Sequence, residues 1–214
     1  ADNLATKHPE KLAELKAEFL AIAADNRDFP IGAGNWLRLH PDDRVKTPYD
    51  SWTFTRATRR MPEFTAPGLG RESNVVELDV EVAAGANGVV YALGGSGGGL
   101  CLLMDEGRLV YLYNMMIIEQ YEGRSPLPLP PGKHAIVVTT VIDGPGKPGT
   151  VTVAVDGRES FRVPLSRTVP AAFTASESLD VGVDLGSMVS EAHHARRPFA
   201  FEGTIGTMRV RLGK

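Results

Sequence analysis

The sequence predicts a mainly β protein: an antiparallel β-sandwich of jelly-roll type, preceded by one α-helix and an extended linker. Three observations carry this. Asn74 to Val82 alternates strictly, with Val76, Leu78, Val80 and Val82 on one side and Glu77, Asp79 and Glu81 on the other. That period of two means one buried and one wet face. Asn87 to Asn114 holds short apolar runs punctuated by glycines at 94, 95, 97, 98 and 99 and by Asp105-Glu106-Gly107, the pattern of a strand meander. Asp156-Gly157 between Val151-Val153-Val155 and the returning Arg158 to Val163 is a two-residue hairpin signal.

In chain order, Pro9 to about Asp25 is the strong helix. Proline fits the first helical position, where its missing N–H costs nothing. Leu12, Leu15, Phe19 and Ile22 then repeat at helical spacing, and this single stripe needs a partner. Asn26 to Pro48 has no period and carries Gly32, Gly34 and three prolines; it reads as an extended linker anchored by Trp36 and Leu37. Domain boundaries of 1–48 and 49–214 follow. From Ser51 the period becomes two, through Trp52-Thr53-Phe54. After Asn74–Val82, strands are expected over Gly88–Leu93, Leu100–Met104 and Leu109–Asn114, with Met116–Tyr121 a candidate fourth. Pro126, Pro128, Pro130 and Pro131 form a stiff connector that no central strand accepts. His134 to Ile142 is apolar on both faces, which places it between two layers. Leu179–Val183 and Gly203–Leu212 complete ten or eleven short strands, a sandwich count.

Composition narrows the function classes. The chain has 214 residues, a net charge of −3 and one cysteine. That balance gives no electrostatic case for nucleic acid or an anionic membrane. One cysteine excludes an internal disulfide and a cysteine-based zinc site. No apolar run approaches the roughly 20 residues of a membrane-spanning helix. The opening Ala1 is not an initiator residue, so the reading frame is expected to extend upstream. Cytoplasm and periplasm both stay open as locations.

The residues also resemble a family. The opening ADNLATKHPEKLAELKAEF is similar to a phrase near the end of the catalytic region in bacterial arylsulfatases of the large, Pseudomonas-type class. More specific matches to the same family are PIGAGNWLRLHPDDR (Pro30–Arg44), YDSWTFTRATRRMPEFTAPGLG (Tyr49–Gly70), NGVVYALGGSGGGL (Asn87–Leu100) and LDVGVDLGSMVS (Leu179–Ser190), in the family's order through nearly the whole chain. The resemblance implies a C-terminal domain, a sandwich of the concanavalin/laminin-G kind, on a parent sulfate-ester hydrolase. Such a parent uses a formylglycine made within a Cys/Ser-x-Pro/Ala-x-Arg motif, and a calcium ion. Neither belongs to this chain: Cys101 is followed by Leu102-Leu103-Met104-Asp105, and Ser125 by Pro126-Leu127. No catalytic residue, metal ligand or cofactor is therefore assigned here, and the chain alone is expected not to be an enzyme. The implied role is a non-catalytic accessory domain that packs on the sulfatase catalytic domain, within one chain or as a separate one, and shapes substrate access.

The alternative is a carbohydrate- or glycoconjugate-binding sandwich. Tyr111 and Tyr113 share a strand face and are the candidate sugar platform; Trp36, Trp52 and Tyr121 are further aromatic candidates. Core packing explains the same spacing and is preferred. Several other features have plain readings beside sharper ones. The Gly94–Gly99 run is a strand connection before it is an anion loop, since no helix or basic partner follows. Cys101 is a small core residue before it is a reactive thiol. His193-His194 beside Arg196-Arg197 could build a metal or sulfate site, yet reads first as a solvated loop. Asp180 and Asp184 could hold calcium, yet suit the capping of turn N–H groups better.

Overall fold

A computed structural model describes residues 4–25, 49–174 and 176–213. Helix α1 (Pro9–Asp25) starts where expected, its first turn closed by the Leu12 N–H on the His8 carbonyl at 3.1 Å. Lys11 and Glu14 pair along its surface. Leu15, Phe19 and Ile22 are 50%, 56% and 53% exposed. No helix of the described residues is long and apolar enough to cross a membrane. Helix and sandwich are separate compact units. The expected linker, with Trp36 and Leu37, lies outside the described residues.

The sandwich consists of two six-stranded sheets, all of whose strand pairs are antiparallel. Sheet A contains β1 (Ser51–Phe54), β3 (Asn74–Val82), β8 (Gly132–Ile142), β9 (Gly149–Val155), β10 (Arg158–Leu165) and β12 (Gly203–Leu212). Their order is β1-β12-β3-β8-β9-β10. Sheet B contains β2 (Met61–Pro62), β4 (Gly88–Gly95), β5 (Gly98–Asp105), β6 (Arg108–Met115), β7 (Glu119–Arg124) and β11 (Ser178–Val181), ordered β2-β11-β4-β5-β6-β7. The expected antiparallel sandwich is thus observed. The two-residue β2 was not foreseen, because two residues show no period.

The inner faces meet through Val76, Leu78 and Val80 of β3, Ile136 and Val138 of β8, and Tyr91, Leu102, Tyr111 and Tyr113 of sheet B. Each fully buried large aliphatic contributes roughly 1.5–3 kcal/mol before chain entropy is subtracted. The Tyr113 ring packs edge-on against Phe173 at 5.2 Å. Its hydroxyl donates to the Gly70 carbonyl at 2.6 Å and accepts the Val169 N–H at 2.8 Å.

Sheet B is apolar on its outer face as well. Val89, Ala92, Cys101, Leu103 and Val110 point away from sheet A, and Met188, Val189 and Phe199 cover them. The covering strap is residues 183–200, tied down where the Val89 N–H meets the Phe199 carbonyl at 2.8 Å and where Val89 bridges Ala200 in parallel. A layer lies on each face of β4 and β5, so both are buried almost throughout. The expectation that His134–Ile142 is the strand between layers is corrected. Outward Val137 of β8 is half-buried and Val141 is 56% exposed, because the strap lies on sheet B instead.

The glycine run is a strand connection, as read, with Ser96-Gly97 as its turn. The strap adds a reason for the glycines: a Cβ on Gly99 would lie 2.7 Å from the Leu93 carbonyl oxygen and 2.7 Å from Val189 Cγ2. The Asp156-Gly157 hairpin forms as expected, with φ of 51° and 77°, both positive as a type I′ turn requires. The expected strand at Met116–Tyr121 starts only at Glu119. Met116 and Ile117 form the turn instead, at φ 54° and 64°, with the Ile117 N–H held by Asn114 Oδ1 at 2.9 Å.

Gly99→Ala is expected to lower unfolding stability by about 1–3 kcal/mol through overpacking. Gly97→Ala, whose Cβ meets nothing within 4 Å, should stay within about 0.5 kcal/mol of the parent. Urea denaturation of both variants checks this.

Candidate functional site

The outer face of sheet A is a polar surface built by strand alternation. Asp79, Glu81, Lys133, Ala135, Thr204, Arg209 and Arg211 all point outward and are exposed. On β3, Asp79 and Glu81 sit two residues apart, hence on one side. Register places Lys133 of β8 and Thr204 of β12 on either flank of Glu81. Beside Asp79 the neighbours are small. On β8 its partner is Ala135, and on β12 the register shifts between Ile205 and Met208, bringing Gly206 alongside. Bulges re-aim side chains in this way. The missing bulk leaves a trough of about 450 Å3, walled by Asp79, Glu81, Lys133 and Thr204 and floored by Ala135 and Gly206. A Cβ on Gly206 would sit 3.4 Å from Asp79 Cβ, ordinary contact, so the floor tolerates added side chains. Arg209 approaches Asp79 at 3.9 Å, and Arg211 pairs with Glu77 at 3.2 Å. Such exposed pairs contribute only about 0–1 kcal/mol to stability.

His134 lies between Lys133 and Ala135 on β8, so alternation turns its ring to the other face, that of its register partner Val80. Its Nδ1 faces Asp156 Oδ2 at 2.7 Å and its Nε2 faces the Pro130 carbonyl at 2.8 Å. Burial opposes the charge on the ring, but two acceptors outweigh it and raise the His134 pKa. A raised histidine pKa stabilises the fold fully below the ordinary value near 6.5, and that contribution fades as pH rises through the folded value.

The other sequence-derived candidates lie elsewhere. Tyr111 and Tyr113 are each 1% exposed in the inter-sheet core. A stacking platform must offer an open ring face, so the platform reading is corrected to core packing. Trp52 and Tyr121 are half-buried against the same core. Cys101 is buried, and burial pushes its thiol well up, the mark of an inert cysteine. His193 is not a solvated loop residue. It lies in a 3-10 helix, Glu191–Arg196, with its ring stacked on Phe199 at 4.9 Å and its Nδ1 paired with Ser190 Oγ at 2.7 Å. Together with Arg196 it meets Asp105, nailing the strap to sheet B. His194 is exposed. Among the described residues, no three His, Cys, Asp or Glu side chains converge as a metal site.

Asp180 and Asp184 cap turns, as their setting suggested. Asp180 accepts the Arg60 N–H at 2.7 Å and the Leu185 N–H at 3.3 Å, and Asp184 accepts the Val189 N–H at 3.0 Å. Sequence reasoning missed Glu63, whose buried carboxylate accepts the Phe173 and Thr174 N–H groups at 2.6 and 2.8 Å. Burial raises its pKa against those hydrogen bonds. A glutamate in the Pro- and Gly-rich run before β3 gives no sequence sign of this. The trough was also missed, since register and bulge create it.

No protein-family model matches the chain, and no curated protein sequence matches it. Solved structures do share the fold. The CBM40 of the Ruminococcus gnavus IT-sialidase, bound to α2,3-sialyllactose, matches with TM-score 0.53 and 11% identity over 76% of this chain and 89% of that one. The leech intramolecular trans-sialidase matches with TM-score 0.50 and 9% identity over 76% of this chain and 25% of that one. The LG1-3 region of the laminin α2 chain matches with TM-score 0.46 and 18% identity, over 74% of this chain, which spans 30% of the laminin chain's length. The chain is a β-sandwich of the fold seen in the CBM40 domain.

Burial pushes Asp184 up to about 6, against its hydrogen bonds from Val189 and Gly186, with Asp180 and Glu177 adding to the rise. Its native state therefore holds a proton that the unfolded chain releases near pH 4, and stability falls as pH climbs from about 4 to about 6. Asp184→Asn keeps an acceptor for the Val189 N–H. It should be more stable than the parent by roughly 1–3 kcal/mol at pH 7.5 and match it at pH 4. Equal differences at both pH values in denaturation curves would contradict this.

Proposed function

We propose that this chain is a carbohydrate-binding β-sandwich module whose ligand lies in the sheet A trough. The observation that carries the reading is the gap beside Asp79, where Ala135 and the β12 bulge remove bulk next to two carboxylates, an ammonium and a hydroxyl. At about 450 Å3 the trough falls within the roughly 300–1,000 Å3 of small-molecule sites. The clefts beside Arg60 and beside Gln120 are smaller, at about 290 and 90 Å3. Asp79 and Glu81 each offer two acceptor oxygens to sugar hydroxyls, Lys133 donates, and Thr204 does either. The R. gnavus CBM40, which has this fold, holds a sialyllactose, and that supports the ligand class. In this reading the chain binds a glycan and carries out no catalytic step.

A second reading is the non-catalytic accessory domain of an arylsulfatase. It is favoured by α1, whose Leu15, Phe19 and Ile22 stripe stays about half exposed and suits an apolar partner. The parent's sulfate-ester hydrolysis, formylglycine and calcium belong to that proposal alone. Its test is titration of the chain against a Pseudomonas-type sulfatase catalytic domain. Binding weakened by Phe19→Asp supports the reading, and no association at high micromolar concentration sinks it.

The glycan reading is tested by NMR titration with an oligosaccharide panel. Hydrogen-bonding recognition without an open ring face should give about 4–6 kcal/mol, a dissociation constant from roughly 1 mM down to tens of micromolar. Ala135→Arg fills the trough from an exposed position and should abolish binding while leaving stability within about 0.5 kcal/mol. Binding that survives Ala135→Arg would place the ligand elsewhere.

A further inference from the structure

From the charge pattern of the trough we infer that it selects neutral glycans and discriminates against sialylated or sulfated ones. This rests on the carbohydrate-binding reading and adds the ligand class. The carboxylates of β3 lie at the centre of the trough and the cations at its sides. Glu81 has Lys133 as its register partner on β8, within reach across an antiparallel pair. Asp79 has the Arg209 guanidinium at 3.9 Å. Two carboxylates thus face two cations, of which Arg209 approaches Asp79, so the local charge balances and no net field draws an acidic ligand.

The central groups then decide. A carboxylate only accepts hydrogen bonds, so whatever sits over Asp79 and Glu81 must donate. Vicinal sugar hydroxyls do so, and bonds to an ionised acceptor are the stronger kind. A sugar carboxylate or sulfate ester has no proton to give at neutral pH and meets two like charges at close range. Arg209 could serve such a group only by leaving Asp79, and a group held by Lys133 would still lie beside Glu81, its register partner. Thr204, flanking Glu81 on β12, adds a hydroxyl suited equally to a neutral ring. The R. gnavus domain holds a sialylated sugar, so the selectivity is a departure within the shared fold.

The test compares lactose-series oligosaccharides with their 3′-sialylated and 3′-sulfated counterparts, using the full chain, by NMR titration at low and high salt. Neutral members should bind at least tenfold more tightly, with affinity nearly flat in salt, because no counter-charge is screened. The double variant Asp79→Asn with Glu81→Gln leaves the cations in excess. It should weaken neutral binding and raise sialylated and sulfated binding severalfold, with a salt dependence the parent lacks. Acidic sugars binding the parent as tightly as neutral ones, in a salt-sensitive way, would overturn the selectivity and leave the carbohydrate reading standing. If no sugar of any charge perturbs Asp79, Glu81 or Lys133 resonances, the carbohydrate reading itself falls.

Discussion

The structure depends on one constraint: β4 and β5 are apolar on both faces, so the middle of sheet B must be covered twice. Sheet A covers one side, and the strap over 183–200 covers the other. Sandwich sheets ordinarily leave one face wet. Beneath the strap sheet B loses its wet face, which persists at the β7 edge in exposed Gln120, Glu122 and Arg124, while the outer face of sheet A carries the trough.

Several local features follow from the strap. It packs directly on the end of the β4–β5 hairpin, where a side chain at Gly99 would collide with Val189. It must also turn away from β11 at once, and buried Asp180 and Asp184 satisfy the N–H groups that this turning strands. Unsatisfied buried donors cost roughly 1–3 kcal/mol each, which offsets the expense of burying a carboxylate. At its far end Phe199 lies between sheet B and the His193 and Arg196 side chains, and Asp105 engages both. Burial opposes ionisation of Asp105, but Arg124 and His193 outweigh it and lower its pKa.

What the sequence made legible is what local pattern controls. Alternation in Asn74–Val82, the Asp156-Gly157 turn and the Pro9 helix start each depend on a few neighbours in the chain. The jelly-roll class followed because enough such strands occur together. The sequence misled where the second layer was a segment without period. Val137 and Val141 looked like a covered strand face, although no apolar spacing marks residues 183–200 as a cover. Turn chemistry misled at Met116-Ile117, where two non-glycine residues take positive φ and the Asn114 side chain holds the Ile117 N–H. Tyr111 and Tyr113 could not be assigned to core or platform from spacing, since both leave the same alternation. Their burial decided it. The trough was out of reach for another reason: Asp79, Ala135 and Gly206 are brought together by register and a bulge, neither of which a single sequence displays.

The pairing of β1 with β12 has a consequence for how this unit can sit in a larger chain. Ser51 and Arg211 are register partners, so the polypeptide enters and leaves the sandwich at one corner, on neighbouring strands. A domain of that geometry can be spliced into a surface loop of a host protein without prising the host's ends apart. For the same reason the linear order of its strands is close to cyclic. A short tether at that corner would close the ring, which is the arrangement that circular permutation at an exposed turn requires.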